Sequence, residues 1–370
     1  MNSVRVAAMV LAVAGGMGLG AGLGGSGVAL GQGAAGPAAG AGAKTQVPAV
    51  KMPDNAAVVY FRYWSLVTRE QWAKVADLAT ELTVPDAAGR EALRQLIEEL
   101  GSVPAGLART TQIPRAEWNV EFDQGIGAII PEMGVLRSTA RLFVAQARLS
   151  LADGRADEAA QHVARIFPLA RHTSDGSMLL ISSLVSAAIN SLGCASVEAL
   201  LRDGRITEAG RAVLLEAMQS HMGGADPFNM AAAIQAERWL IAQWAEKELA
   251  SRNAADRLKL ITDLGGGNAA AAQLLANANV QQAAKQADEY YVAVAAAWSR
   301  ADADAELAKL EEKVKAGGFG PLAQVMGAAF VNAKRGENRA REAMAKAVAA
   351  LKAPPDRSGA KPPQEPAEKK

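Results

Sequence analysis

Asp153-Gly154-Arg155-Ala156-Asp157-Glu158-Ala159 is echoed by Asp203-Gly204-Arg205-Ile206-Thr207-Glu208-Ala209, and this repeated turn decides the fold. In each copy the glycine can take the left-handed conformation that ends a helix. The glutamate then falls in the first turn of the next helix, where the macrodipole favours a negative charge. An alanine closes each copy, small enough to let two helices approach. Long apolar-periodic segments flank both turns: Ile129 to about Ala152, Arg155 to about His172, Ser177 to about Arg202 and Thr207 to about Met222. Pro168 lies inside the second of these and should kink or end it. The pattern predicts an all-α protein of stacked antiparallel helical hairpins, an α-α superhelix or layered array. The turn resembles that of a tetratricopeptide repeat only locally, because the copies are 50 residues apart and not 34. Val163 and Arg171 stand where that repeat carries a large aromatic and a closing proline.

Upstream, Asp54 is placed to cap a helix bearing Tyr60, Trp64 and Val67 on one face. Thr68-Arg69-Glu70-Gln71 reads as a capping box, and Ala87 to Leu100 as a further helix burying Leu93, Leu96, Ile97 and Leu100. The segment 104–127 reads as one irregular loop, with a short extended stretch where Trp118, Val120 and Phe122 alternate with polar residues. Downstream, a helix is expected from Asp226-Pro227 to about Arg252 and a short one to Leu264. Others are expected from Asn268 to about Arg300, from Asp302 to Lys315, and from Pro321 to about Leu351.

The two ends read differently. Arg5, the apolar run Val6 to Ala14 and small residues before Gly31 have the parts of a secretory signal. The expected division is a signal peptide over 1–31, a Gly/Ala/Pro-rich linker over 32–53, a helical-hairpin domain over 54–222, a long-helix region over 223–352, and a disordered tail over 353–370. A second cleavage site after Ala43 is the alternative. The protein is expected in the periplasm or outside the cell, and tethered to a membrane only if the leader is retained, since no second hydrophobic span is read in the body.

Composition narrows the function. A formal charge of +1 and a single cysteine leave no global pull on nucleic acid and no disulfide staple. Half the residues are hydrophobic but only 5% are aromatic, so alanine and small aliphatics must fill the core. His162, His172 and His221 are too far apart in sequence for a helical metal pair and are read as structural. Asp302, Asp304 and Glu306 alternate like the start of a calcium loop but lack its glycine and distal glutamate, so they are read as residues opening a helix. Cys194, beside Gly193 and Ala195, is read as a packing residue. No cofactor or metal is expected.

Two clusters remain. Arg137, Arg141 and Arg148 share a helix face, suited either to an anionic ligand or to pairing with Glu117, Glu121, Asp123 or the next helix, and pairing is the favoured reading. Glu117 and Asp123 flank Trp118, a carboxylate pair that could suit hydrolysis of a glycan.

Three blocks together carry a resemblance: Asn55 to Tyr60, Pro114 to Trp118 with Asp123, Gly125 and Pro131, and Leu149 to Ala159 followed by Leu169 to His172 and the apolar helix Leu179 to Ile189. In order and spacing they resemble a family of exported bacterial helical-hairpin proteins to which no activity is assigned, over residues 54–200. The family usually has a cysteine where this chain has Ala116, and often a histidine where it has Glu132. The resemblance implies the fold and export, and no activity. The expected function is a non-catalytic interaction or scaffold module of the cell envelope, with a protein or cell-wall partner. The alternative is the glycan-acting hydrolase.

Overall fold

The computed structural model describes residues 54–79, 81–119, 133–175, 179–222, 224–264, 269–327 and 329–354. The leader, the linker, the tail beyond residue 354, Glu121 and Asp123 lie outside them. The fold is all-α, and no strand occurs among the described residues.

The first part runs α1 (Ala56–Trp64), α2 (Arg69–Leu78), α3 (Ala87–Glu99), α4 (Val103–Thr110), α5 (Met133–Ala152), α6 (Ala156–Ala164), α7 (Ile166–Ser174), α8 (Leu180–Asp203) and α9 (Glu208–Met222). Asn55, and not Asp54, caps α1 by accepting from the Ala57 N–H. The capping box at Thr68 forms with both of its bonds. The segment 104–127 is not one loop, because α4 occupies its start. Pro104 sits in the first turn of α4, where a missing N–H costs nothing. The break between α6 and α7 falls at Arg165, where Pro168 has no N–H to offer Ala164.

The two repeated turns touch each other. Gly154 and Gly204 are left-handed, at φ 80° and 77°. Asp153 pairs with Arg155 in one copy and Asp203 with Arg205 in the other. Asp157, in the first turn of α6, reaches across: one oxygen accepts from the Thr207 N–H at 2.9 Å and the other from the Thr207 hydroxyl at 2.7 Å. The sequence echo is thus a physical junction at the head of α6 and α9. Ala159 is fully buried as expected, but Ala209 is exposed. In the second copy the small residue at the contact is Gly210, where a Cβ would stand 2.4 Å from Asp157 Oδ1.

The second part runs α10 (Met230–Trp244) with a π turn (Ala245–Leu249), α11 (Ala254–Asp263), α12 (Ala269–Asn277), α13 (Val280–Trp298), α14 (Ala303–Lys315), α15 (Gly320–Met326) and α16 (Phe330–Lys352). Three expected helices change. The one from Asp226 starts at Met230, since Asn229 is left-handed at φ 54° and Asp226 caps from outside by accepting from Met230 and Ala231. The run from 268 to 300 is two helices, with Asn279 capping the second through the Gln282 N–H. The last run breaks at Gly327 into α15 and α16.

Two cores form, and they share helices. The first gathers α1 to α9 and takes Met344, Ala347 and Leu351 from the far end of α16. The second gathers Phe228 to Ala340 and takes Leu180 and Ala187 from the start of α8. The last helix therefore returns to pack along α8 and α9. By length and composition α8 alone among the described helices could cross a membrane. Its apolar residues are instead spent inside both cores. Small residues permit the close approach: a Cβ on Gly193 of α8 would meet the Phe167 ring of α7 at 2.9 Å.

Arginines finish the helix ends. The last carbonyls of a helix have no partner within it. Arg211 donates to Ala350 and Leu351 at the end of α16, and Arg257 to Leu249 and Ala278.

Candidate functional site

The structure draws together short pieces of all three blocks that carry the family resemblance. Asn55 Oδ1 accepts from the Glu117 N–H at 2.8 Å while Asn55 Nδ2 donates to the Glu117 carbonyl at 2.9 Å, and Ala56 N donates to Arg115 O. The start of α1 is thereby fastened to the loop after α4. Tyr60, Trp64 and Trp118 then stack side by side, with ring centroids 5.4 to 5.9 Å apart and planes within 18°. Phe61 sets its edge over Trp64 and Trp118 from the solvent side.

His172 closes the group from α7. Its Nε2 lies 2.8 Å from the Ile113 carbonyl, which accepts only, so Nε2 carries the proton. Its Nδ1 is then the acceptor for the Tyr60 hydroxyl at 3.1 Å. The Trp118 indole donates to the His172 carbonyl at 2.6 Å, and Trp64 donates to Thr139. Burial, reinforced by the Arg171 charge, pulls the His172 pKa down to about 4, and burial raises that of Tyr60. The ring is neutral and its two nitrogens are used.

The residues singled out from the sequence separate. Trp118 is buried. Glu117 is exposed and pairs with Arg115 at 3.2 Å, not with the arginine face. Among the described residues Arg148 pairs with no carboxylate and donates to the carbonyls of Leu78 and Thr83. Leu78 is the last residue of α2, whose final carbonyls have no partner within the helix. Arg137 and Arg141 are half-buried and form no ion pair among the described residues. Burial, with the charge of Arg141, lowers the pKa of Arg137. Glu117 is not the partner of these arginines, and Glu121 and Asp123, the other acids named for the pairing, lie outside the described residues.

Cys194 is buried in α8 with Asn190 as its neighbour, and burial together with Glu198 pushes its thiol up to about 12. Among the described residues no three His, Cys, Asp or Glu side chains cluster as a metal site would require.

A cleft of about 460 Å³ opens where α3, α4, α5 and the α6–α7 break meet. Its polar lining includes Arg109, Gln146, His162 and Arg165, and no carboxylate among the described residues lines it. Its apolar wall includes Ile97, Pro104 and Ala108. Arg165 donates to His162 Nδ1 at 2.6 Å, so the ring proton sits on Nε2, 3.6 Å from Glu158. Burial, then the charges of Arg165 and Arg155, hold His162 down at about 3, so its contact with Glu158 is not an ion pair. Glu158 is paired with Arg155 at 3.1 Å. Gln146 Oε1 is buried with no hydrogen-bond partner among the described residues. In the sequence His162 reads as structural, and Arg109, Gln146 and Arg165 do not stand out. The nearest signal was the 162/165 spacing across the break before Pro168.

No family model matches the chain, and searches of curated proteins and of solved structures found no match.

Proposed function

We propose that the chain is an exported, non-catalytic interaction or scaffold module of the cell envelope. The observation that carries the reading is the use made of Tyr60, Trp118 and His172. Groups that could serve chemistry are stacked, hydrogen-bonded and shut away from water, holding α1, α7 and the 111–119 loop together. Glu117, the described half of the carboxylate pair, is an exposed partner of Arg115. Beside this rigid knot the surface is apolar: Val58 and Phe61 lie one turn apart on α1, with Leu66 just beyond, exposed at 57%, 46% and 62%. An aromatic anchored by its neighbours keeps little freedom to lose, which favours partner binding at such a point. Export rests on the residues around Arg5 and the apolar run behind it.

The test is co-sedimentation of the purified protein with envelope fragments, with release of reducing ends measured in the same tubes. Retention on the fragments without reducing-end release supports the module. Reducing ends that appear with the wild type and vanish with Glu117→Gln would establish the hydrolase instead.

A further inference from the structure

The cleft between α4, α5 and the α6–α7 break has a composition that no fold-holding role uses up. Arg165 is half-buried and spends one guanidinium nitrogen on His162. Among the described residues it has no carboxylate within ion-pairing distance, and neither has Arg109, whose one contact is a 3.4 Å approach to the Tyr63 hydroxyl. The nearest acid, Glu158, is committed to Arg155. A guanidinium taken partly out of water, with only the charge of Glu158, already shared with Arg155, acting on it, is a costly arrangement that an incoming anion relieves. Guanidinium forks match carboxylates bidentately.

The rest of the lining specifies more than charge. Gln146 Oε1 is a buried acceptor without a donor, a state that natural interiors avoid unless something else fills it. Ile97, Pro104 and Ala108 give the cleft an aliphatic side. Its volume falls in the range of small-molecule sites, roughly 300–1,000 Å³.

We propose that this cleft binds a small amphiphilic carboxylate. The acid lies against Arg165 and Arg109, the Gln146 amide turns so that its Oε1 accepts from a hydroxyl or amide N–H of the ligand, and a short aliphatic group rests on Ile97, Pro104 and Ala108. His162 acts as a positioning residue, since its Nδ1 holds one edge of Arg165 and leaves the other nitrogens for the ligand. This site is independent of the scaffold reading, because it lies in a cleft and not on the exposed face of α1.

The experiment uses the whole chain and three probes in ligand-observed NMR titrations. N-acetyl-L-leucine has the acid, the N–H and the aliphatic group. Its methyl ester lacks the charge, and 4-methylpentanoate lacks the N–H. The acetylated acid should bind at least about 10-fold more tightly than either comparison probe, the size of a lost charge-assisted or buried hydrogen bond. Arg109→Gln, at an exposed position that leaves the fold intact, should weaken the acid by about 10-fold and leave the ester unchanged. Gln146→Met should abolish the preference over 4-methylpentanoate while the melting temperature of the free protein holds or rises, because a buried unsatisfied oxygen is removed. Equal binding of acid and ester, no saturable binding of any probe at millimolar concentration, or an Arg109→Gln variant that binds like the wild type would overturn the proposal.

Discussion

Lowering the pH from 7 to 5 should weaken this fold far more than an ordinary carboxylate-rich surface would require. His162, His172 and His221 are all buried, and burial holds them near 3, 4 and 4. In the unfolded chain each returns to its ordinary value of about 6.5. A histidine with a depressed folded pKa is neutral in the fold, so its contribution is complete above pH 6.5 and is lost as the pH falls toward the folded value. At pH 5 each histidine favours the unfolded chain by about 2 kcal/mol, or about 6 kcal/mol for the three. Glu237 acts in the opposite sense. Its carboxyl is enclosed against the second core, and burial raises it to about 7, with the Leu180 N–H partly offsetting. A raised carboxyl gains stability as the pH falls from 7 toward 4.5, returning about 2 kcal/mol by pH 5. The net loss is on the order of 4 kcal/mol, a large part of a typical 5–15 kcal/mol stability. Urea unfolding followed by tryptophan fluorescence at half-unit pH steps measures it. His172→Asn should lower stability at pH 7 through its two lost hydrogen bonds, yet remove about a third of the histidine contribution to the slope. A stability flat between pH 7 and 5 would refute the reasoning.

Other outcomes follow from the same geometry. Gly210→Ala forces a methyl group to 2.4 Å from Asp157 Oδ1, so it should cost about 1–3 kcal/mol and expose the heads of α6 and α9 to faster hydrogen exchange. Asn55→Ala removes the three bonds that join α1 to Glu117 and to its own first turn, and should cost about 1–3 kcal/mol in urea unfolding. An unchanged midpoint in either variant would show that the junction concerned does not hold the body together.

How much of this was readable from the chain depends on the distance over which each cause acts. The Thr68 capping box and the left-handed glycines 154 and 204 are local, and both stand as the sequence indicates. Helix starts slipped where a side chain caps from outside, as at Asp226, or where the neighbour does the capping, as at Asn55. The break before Asn279 was hidden because Ala269 to Asn277 and Val280 onward are both alanine-rich, so no change of composition marks it. The helix α4 hides inside the segment read as a loop because it is only 8 residues long, too short to show a full apolar period. The site lies at the non-local end. Trp118 stands out in the sequence, but its partner is a carbonyl 54 residues away. The cleft needs Arg109 and Gln146 from two helices and Arg165 from the break between two others, and no spacing in the chain announces their meeting. The bonds of Arg148 are hidden for the same reason, since its partners among the described residues are backbone oxygens that carry no sequence label.

The central claim is that this body binds a partner in the envelope and performs no chemistry there. Site-specific photo-crosslinking in intact cells tests it most directly, with the photoreactive residue at Phe61 and a control at exposed Lys259 on α11. A partner bound at this face gives a discrete adduct from position 61, absent from position 259 and unaffected by Glu117→Gln. No adduct from position 61, together with wall turnover that depends on Glu117, would contradict it.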